Sequence, residues 1–228
     1  MDLDKIISDL EKLGNPKALA GMQRFGIKFK KSFGVPIPVL RKLSKEIKTD
    51  HELALKLWKT DIHDAKILAT MIADSEQMTN EIIESWVKDF YSWDICDQCC
   101  KNIFKNTRFA YQKAIEWTSR NEEFVKRAGF VMMVELAVHN RNADNKYFEP
   151  FFPIIIRESI DSRNFVRKAV NWSLRQIGKR NYDLAIRAIE VANEIYKIDS
   201  KTAKWIASDA IRELKNKIIV VLFLVSLY

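Results

Sequence analysis

The sequence predicts an all-α protein built as a superhelix of stacked helix pairs, and three observations carry that prediction. Phe124-Val125-Lys126-Arg127-Ala128 returns as Phe165-Val166-Arg167-Lys168-Ala169, with cations in the same two slots and an offset of 165 − 124 = 41 residues. Apolar residues recur with helical periodicity along most of the chain, and convincing period-2 strands are missing. Glycine (6) and proline (5) are scarce among 228 residues, as short connections between helices require.

An interval of that size lies inside the roughly 40–47-residue period of HEAT and armadillo repeats. In such a solenoid each helix pair buries its apolar face against its neighbours, and the second helices line one continuous face. The elements follow in order. Asp2 to Leu13 reads as a first helix, stopped by Gly14-Asn15-Pro16. Lys17 to Lys31 reads as a second. Ser32 to Pro38 is an extended turn, because each proline disfavours helix at the residue before it. Pro38 then opens a helix that runs to Lys48.

Beyond it the helices come in pairs. Second helices are expected to start near Ile62, Trp93, Phe124, Phe165 and Thr202, with gaps of 31, 31, 41 and 37 residues. These unequal gaps describe degenerate repeats. Asn140 to Asn145 is the most loop-like segment in the array. No compositional break marks a boundary, so one HEAT-like repeat domain is expected over residues 1–217, followed by a short apolar tail, 218–228. The tail is shorter than the ~20 residues of a membrane-spanning helix, so no membrane anchor is expected. It could dock on the stack, pair with another chain or stay unordered.

Charge narrows the partners. A net charge of +8 favours a polyanion. Lys17 to Lys48 holds nine cations against one acid, Glu46, and Arg163 to Arg180 holds six cations and no acid. Two such stretches, far apart in sequence, are expected to flank one groove. Cys96, Cys99 and Cys100 form an odd, clustered set with no signal peptide, which points to reduced thiols in a cytoplasm. No other cysteine completes a zinc site, and His51, His63 and His139 lie far apart. No metal and no cofactor is expected, and no glycine-rich phosphate loop suggests a nucleoside triphosphate.

Two sets of residues could carry chemistry. Ser92-Trp93-Asp94-Ile95-Cys96-Asp97 sits at a helix start, with Ser92 as an N-cap candidate and Asp94 favoured by the helix dipole. Trp93 and Asp97 are four apart and share a face. An aromatic plane beside a carboxylate suits a positively charged substrate. The plainer reading is a core tryptophan and a helix-start charge. Trp172 lies two turns after Phe165 on nearly the same stripe, and it too would serve as packing between repeats. Lys126 and Arg127 would bind phosphate or simply solvate a helix. Trp93, Arg127 and Trp172 fall on successive second helices, which in a curved stack converge on the concave side.

The set Trp93-Asp94-x-x-Asp97, the Arg127-Ala128 pair before Phe130-Val131, and Lys168-Ala169-Val170-x-Trp172-x-Leu174-Arg175 resembles the DNA alkylation repair family of HEAT-like DNA glycosylases, the AlkD type. Met22-Gln23-Arg24-Phe25 followed by Phe33-Gly34-Val35-x-x-Pro38 resembles that family's N-terminal signature. The resemblance spans about residues 18 to 215. It implies a monofunctional glycosylase that removes cationic alkylated purines, N3-methyladenine and N7-methylguanine, from duplex DNA without flipping the base. It implies Asp97 as the catalytic carboxylate, Trp93 and Trp172 against the deoxyribose, and Arg127 on a backbone phosphate. Lys126, Arg24, Phe25, Arg41, Lys168 and Arg175 are the further DNA-binding candidates.

Phe25 stands where that pattern has a tyrosine, and the tail after Lys217 has no counterpart in it. A monomer is expected. An alternative of another class is a non-catalytic HEAT-like protein that recognises distorted or branched DNA. A scaffold for a protein partner would leave the two basic stretches unexplained.

Overall fold

A computed structural model describes residues 2–225, with side chains through Asn216. Thirteen α-helices and four short 3-10 turns account for most of the described residues. No strand forms among them, and one isolated parallel bridge joins Lys31 to Ile62. The chain divides into two compact units, Met1–Ala110 and Tyr111–Tyr228.

The first unit holds α1 (Leu3–Lys12), α2 (Pro16–Arg24), α3 (Ile37–Ile47), α4 (His51–Trp58), α5 (His63–Ile72), α6 (Asn80–Lys88) and α7 (Trp93–Asn102). Side-chain caps start four of them: Asp2, Asn15, Asp50 and Thr79 accept from the backbone amides of Lys5, Lys17, Leu53 and Ile82. Helix α5 is the axis of this unit. All its residues from His63 to Thr70 are buried, and it packs against α3, α4 and α7. Leu40, Leu57, Leu68 and Ile72 are fully enclosed. Each such side chain contributes about 1.5–3 kcal/mol by leaving water. Trp58 of α4 stacks on Trp86 of α6 with ring centroids 4.1 Å apart.

One expected helix is shorter than its sequence suggests. α2 stops at Arg24, not at Lys31. Gly26 takes φ 76°, its amide donates to the Gln23 carbonyl, and the Ile27 amide donates to the Met22 carbonyl. This is a Schellman stop, with glycine at the left-handed position after the cap. Residues 25–36 then run as a loop held down by Asp64 of α5. Its carboxylate accepts from the Ser32 hydroxyl at 2.9 Å and from the Phe33 and Val35 amides at 2.7 and 2.8 Å. The third helix begins one residue early, at Ile37, so Pro38 occupies its second position.

The second unit contains α9 (Glu123–His139), α10 (Phe151–Glu158), α11 (Asn164–Gly178), α12 (Tyr182–Tyr196) and α13 (Lys201–Val225); α8 (Ala110–Glu116) leads into it. Its core is rich in large side chains, with Phe130, Phe148, Phe151, Phe152 and Trp117 fully buried. α9 packs along α11 and against the 3-10 turn Trp117–Ser119. Gly129 permits that second approach, since a Cβ there would lie 2.8 Å from the Thr118 amide nitrogen. The echoed phenylalanines, Phe124 and Phe165, meet with ring centroids 5.5 Å apart.

The repeat architecture read from the sequence is therefore the one observed. The second helices begin at His63, Trp93, Glu123, Asn164 and Lys201, each within one residue of expectation. The Asn140–Asn145 segment leaves α9 as a turn, as expected. The contacts made by the apolar tail, 218–228, lie outside the described side chains. No helix among the described residues is long and apolar enough to cross a membrane.

Candidate nucleic-acid interface

In the first unit the candidate residues gather around the start of α7. Ser92 holds the N-cap position without capping: its hydroxyl donates to Asp94 Oδ1 at 2.7 Å and accepts from the Lys28 amide at 3.3 Å. Asp94 Oδ2 lies 2.7 Å from His63 Nε2, and His63 Nδ1 lies 3.2 Å from the Tyr91 hydroxyl. His63 is fully buried. The start of α7 is thus pinned to α5 through a buried imidazole. Burial, and next the Asp94 charge, push the Tyr91 phenol well above its ordinary value, so it stays a neutral hydrogen-bonding group.

Trp93 is half-buried, and its indole Nε1 donates to the Phe25 carbonyl at 3.0 Å. The Phe25 ring itself is 66% exposed, with the Arg24 guanidinium 5.3 Å from its centroid. The N-terminal signature and α7 therefore meet: Arg24, Phe25 and Trp93 form one surface cluster. Asp97 follows one turn along the same face of α7 and is partly exposed. Beneath it Cys96, Cys99 and Cys100 are buried free thiols. Burial, with smaller contributions from Cys96, Cys99 and Asp97, pushes the Cys100 thiol up, so it packs as a neutral, inert group. Arg41 is exposed on α3, beside Lys101 and Lys105.

In the second unit Arg127 is 6% exposed, and its Nη1 donates to the Phe165 carbonyl at 2.7 Å, tying α9 to the start of α11. The Lys126 ammonium lies 2.5 Å from Glu158 and 3.6 Å from Asp161. Burial alone would raise the Asp161 carboxyl, but hydrogen bonds from Arg163 and the charges of Arg163 and Lys126 hold it below the ordinary value. Trp172 is half-buried on α11, and Lys168 is exposed. Arg175 pairs with Glu213 and approaches Asp209 at 3.6 Å, while Lys179 also pairs with Glu213.

The stretch from Arg163 to Arg180 has no acid in sequence, yet it meets Asp161, Asp209 and Glu213 in space. The stretch from Lys17 to Lys48 stays more open: Lys30 pairs with Asp61 at 3.2 Å, and Lys17, Lys28, Lys31, Arg41, Lys42 and Lys45 are exposed.

The family model of the DNA alkylation repair enzymes matches residues 6–214. The chain belongs to that family. Among solved structures, it is similar to a member of a family of proteins related to the HEAT-like repeat DNA glycosylases with affinity for branched DNA structures. That likeness has a TM-score of 0.77 at 22% identity, over 93% of this chain and 95% of the other. A designed armadillo repeat protein aligns over 78% of this chain and 92% of its own at 14% identity, with a TM-score of 0.37. No curated protein sequence gives a significant match.

Sequence reasoning named His63 and Asp94 without their contact, and passed over Asp64, and these now explain the arrangement in this DNA alkylation repair family member. His63 and Asp94 fix the entry of α7, and Asp64 fixes the loop that presents Phe25. Their signal was faint, because a histidine and an aspartate 31 residues apart become partners only through the repeat.

Proposed function

We propose that this protein hydrolyses the N-glycosidic bond of cationic alkylated purines, N3-methyladenine and N7-methylguanine, in duplex DNA. The observation that carries the reading is the pairing of Asp97 with Trp93, one turn apart on a helix whose entry is pinned by the His63–Asp94 contact.

Alkylation at N3 or N7 leaves the base positively charged, so it departs with the bond's electron pair as a neutral molecule and needs no general acid. The sugar then carries the developing positive charge, as in glycoside hydrolysis. Asp97 would stabilise that charge electrostatically and orient the attacking water. The water oxygen bonds to the sugar's anomeric carbon, and its proton passes to Asp97 or to solvent. As the family pattern implies, Trp93 would pack against the deoxyribose, and Trp172 and Arg127 of the second unit would contact the DNA backbone. With the catalytic group aimed at the sugar, the lesion can stay within the duplex, without base flipping. We read the protein as a monomer that acts in the cytoplasm.

The test is incubation of the purified protein with duplex DNA carrying N7-methylguanine, and separately with a neutral lesion, followed by detection of released base. Release from the cationic substrate, with little from the neutral one, supports the reading. A second reading, recognition of branched or distorted DNA without catalysis, is favoured by the solved relative with that affinity and by the exposed ring at Phe25 in place of a tyrosine. Tighter binding to a four-way junction than to duplex, with no released base, would select it.

A further inference from the structure

We infer that the first turns of α11 and α13 form a site for unpaired nucleotides of DNA. Trp205 stacks a base there, and Lys168 and Lys201 hold the flanking phosphates. The site rests on the nucleic-acid reading above and adds a contact to strand outside the base-paired helix.

The echoed sequence motif supplies the first observation. Its two cation slots are consumed in α9, where Arg127 is tied to the Phe165 carbonyl and Lys126 to Glu158 and Asp161. The same slots in α11 stay open. Arg167 and Lys168 make no ion pair among the described residues, and Lys168 is exposed. Arg167 lies instead over the indole of Trp205, 5.1 Å from the ring centroid, with its Nη2 donating to Asn164 Oδ1 at 3.2 Å.

The helix pair places these residues together. Arg167 and Trp205, Asn171 and Asp209, and Arg175 and Glu213 are all partners 38 residues apart. α11 and α13 therefore run parallel and in register, with their starts side by side. Lys201 opens α13 one turn before Trp205 and on the same face. It is exposed and makes no ion pair among the described residues. Lys168 stands one turn before Trp172 on α11, so the site is continuous with the ring that the family pattern brings to DNA.

Electrostatics favour an anion. Neither helix has an acid in its first turn. Cations at a helix start oppose the macrodipole, so their placement here costs the fold stability. The nearby acids are already engaged: Asp161 with Lys126 and Arg163, Asp199 with Lys204, and Asp209 with Arg212 and Asn171. A phosphate entering this corner meets open cations and no open carboxylate among the described residues.

The ring decides which form of DNA fits. Phosphates need only cations, yet Trp205 is 40% exposed beside them. In a duplex each base is covered by its neighbours, whereas an unpaired base offers its face to an aromatic ring or a guanidinium. An indole and a guanidinium in contact, flanked by open lysines, suit a base and its two phosphates in a single-stranded segment.

The experiment reads binding, not base release. Fluorescence anisotropy compares an intact duplex with the same duplex lacking five nucleotides of one strand, opposite five thymidines. A third DNA replaces those thymidines by abasic tetrahydrofuran units, which keeps the phosphates and deletes the rings. Wild type should bind the thymidine gap at least about fivefold more tightly than the abasic gap, as the stacking of one base implies. Trp205→Leu, which keeps apolar packing and removes the ring, should bind both gaps alike and match wild type on the intact duplex. Tyr182→Ala, the loss of another exposed ring in the same unit, should leave the preference unchanged. Lys168→Gln/Lys201→Gln should weaken both gaps equally, with a salt slope shallower by about 1.4.

Equal wild-type affinity for the two gaps would overturn the site, and so would a full preference kept by Trp205→Leu. A second measurement needs no variant: 5-iodouracil in the gap, irradiated on the wild-type protein, should crosslink to Trp205. Crosslinks found only elsewhere would overturn the assignment. These outcomes separate from the catalytic reading. The gap preference without base release removes the glycosylase and keeps the site, and base release without the preference removes the site alone.

Discussion

Asp64, Asp94 and Asp97 are carboxylates of the same unit with different work to do. Asp64 is spent on structure, accepting one hydroxyl and two backbone amides from the loop that leads into α3. Asp94 is a positioning residue that joins Ser92 and His63. Asp97 stands one turn from Trp93 on α7 and is partly exposed. Asp64→Ala should therefore cost about 3 kcal/mol or more, because hydrogen bonds to a charged acceptor contribute about 1.5–3 kcal/mol each and their buried donors would be stranded. Urea denaturation followed by circular dichroism measures it, and a loss below about 1 kcal/mol would mean that the loop does not depend on Asp64. These roles were invisible in sequence, where Asp94 looked like a dipole-favoured helix-start charge and Asp64 like nothing in particular. Each gained its role from a partner about 30 residues away.

At the scale of elements, the second-helix starts were legible because their signals are local: a polar or extended residue, then the onset of an apolar stripe. The stop of α2 was missed although Gly26 marked it, since the apolar pattern continues through Ile27 and Phe29. Left-handed backbone there favours glycine, so Gly26→Ala should destabilise the protein by about 1–2 kcal/mol, measured by the same urea titration. No change would mean that the Schellman stop is not needed to end α2. The Ser92 hydroxyl shows the converse error. It holds the cap position by sequence, but its oxygen accepts from the Lys28 amide and not from an amide of α7, while its proton goes to Asp94.

Across the whole molecule, charge was the least legible property. Net charge and its clustering pointed to a polyanion, but the stretch from Arg163 to Arg180 borrows its acids from the turn before α11 and from α13. That has a consequence in acid. Asp161 and Glu213 are both held below their ordinary values of 3.8 and 4.5; in each, burial pushes upward and is outweighed by hydrogen bonds and charges from Arg163 or from Lys179 and Arg175. A depressed folded value means that the unfolded chain binds protons more readily, so these groups stabilise fully above about pH 5 and lose that stabilisation as pH falls through the folded values. Asp161→Asn/Glu213→Gln should be less stable than wild type at pH 7, with the gap closing as pH falls below the ordinary values of the two carboxyls. A gap constant with pH would contradict it.

The central claim is that catalysis resides in one carboxylate and binding does not. Asp97→Asn keeps the shape of that side chain and removes its charge. Its single-turnover release of N7-methylguanine, measured beside its affinity for the same duplex, should be slower by about 10²–10³-fold, while affinity stays within a few-fold of wild type. Release at the wild-type rate would contradict the account.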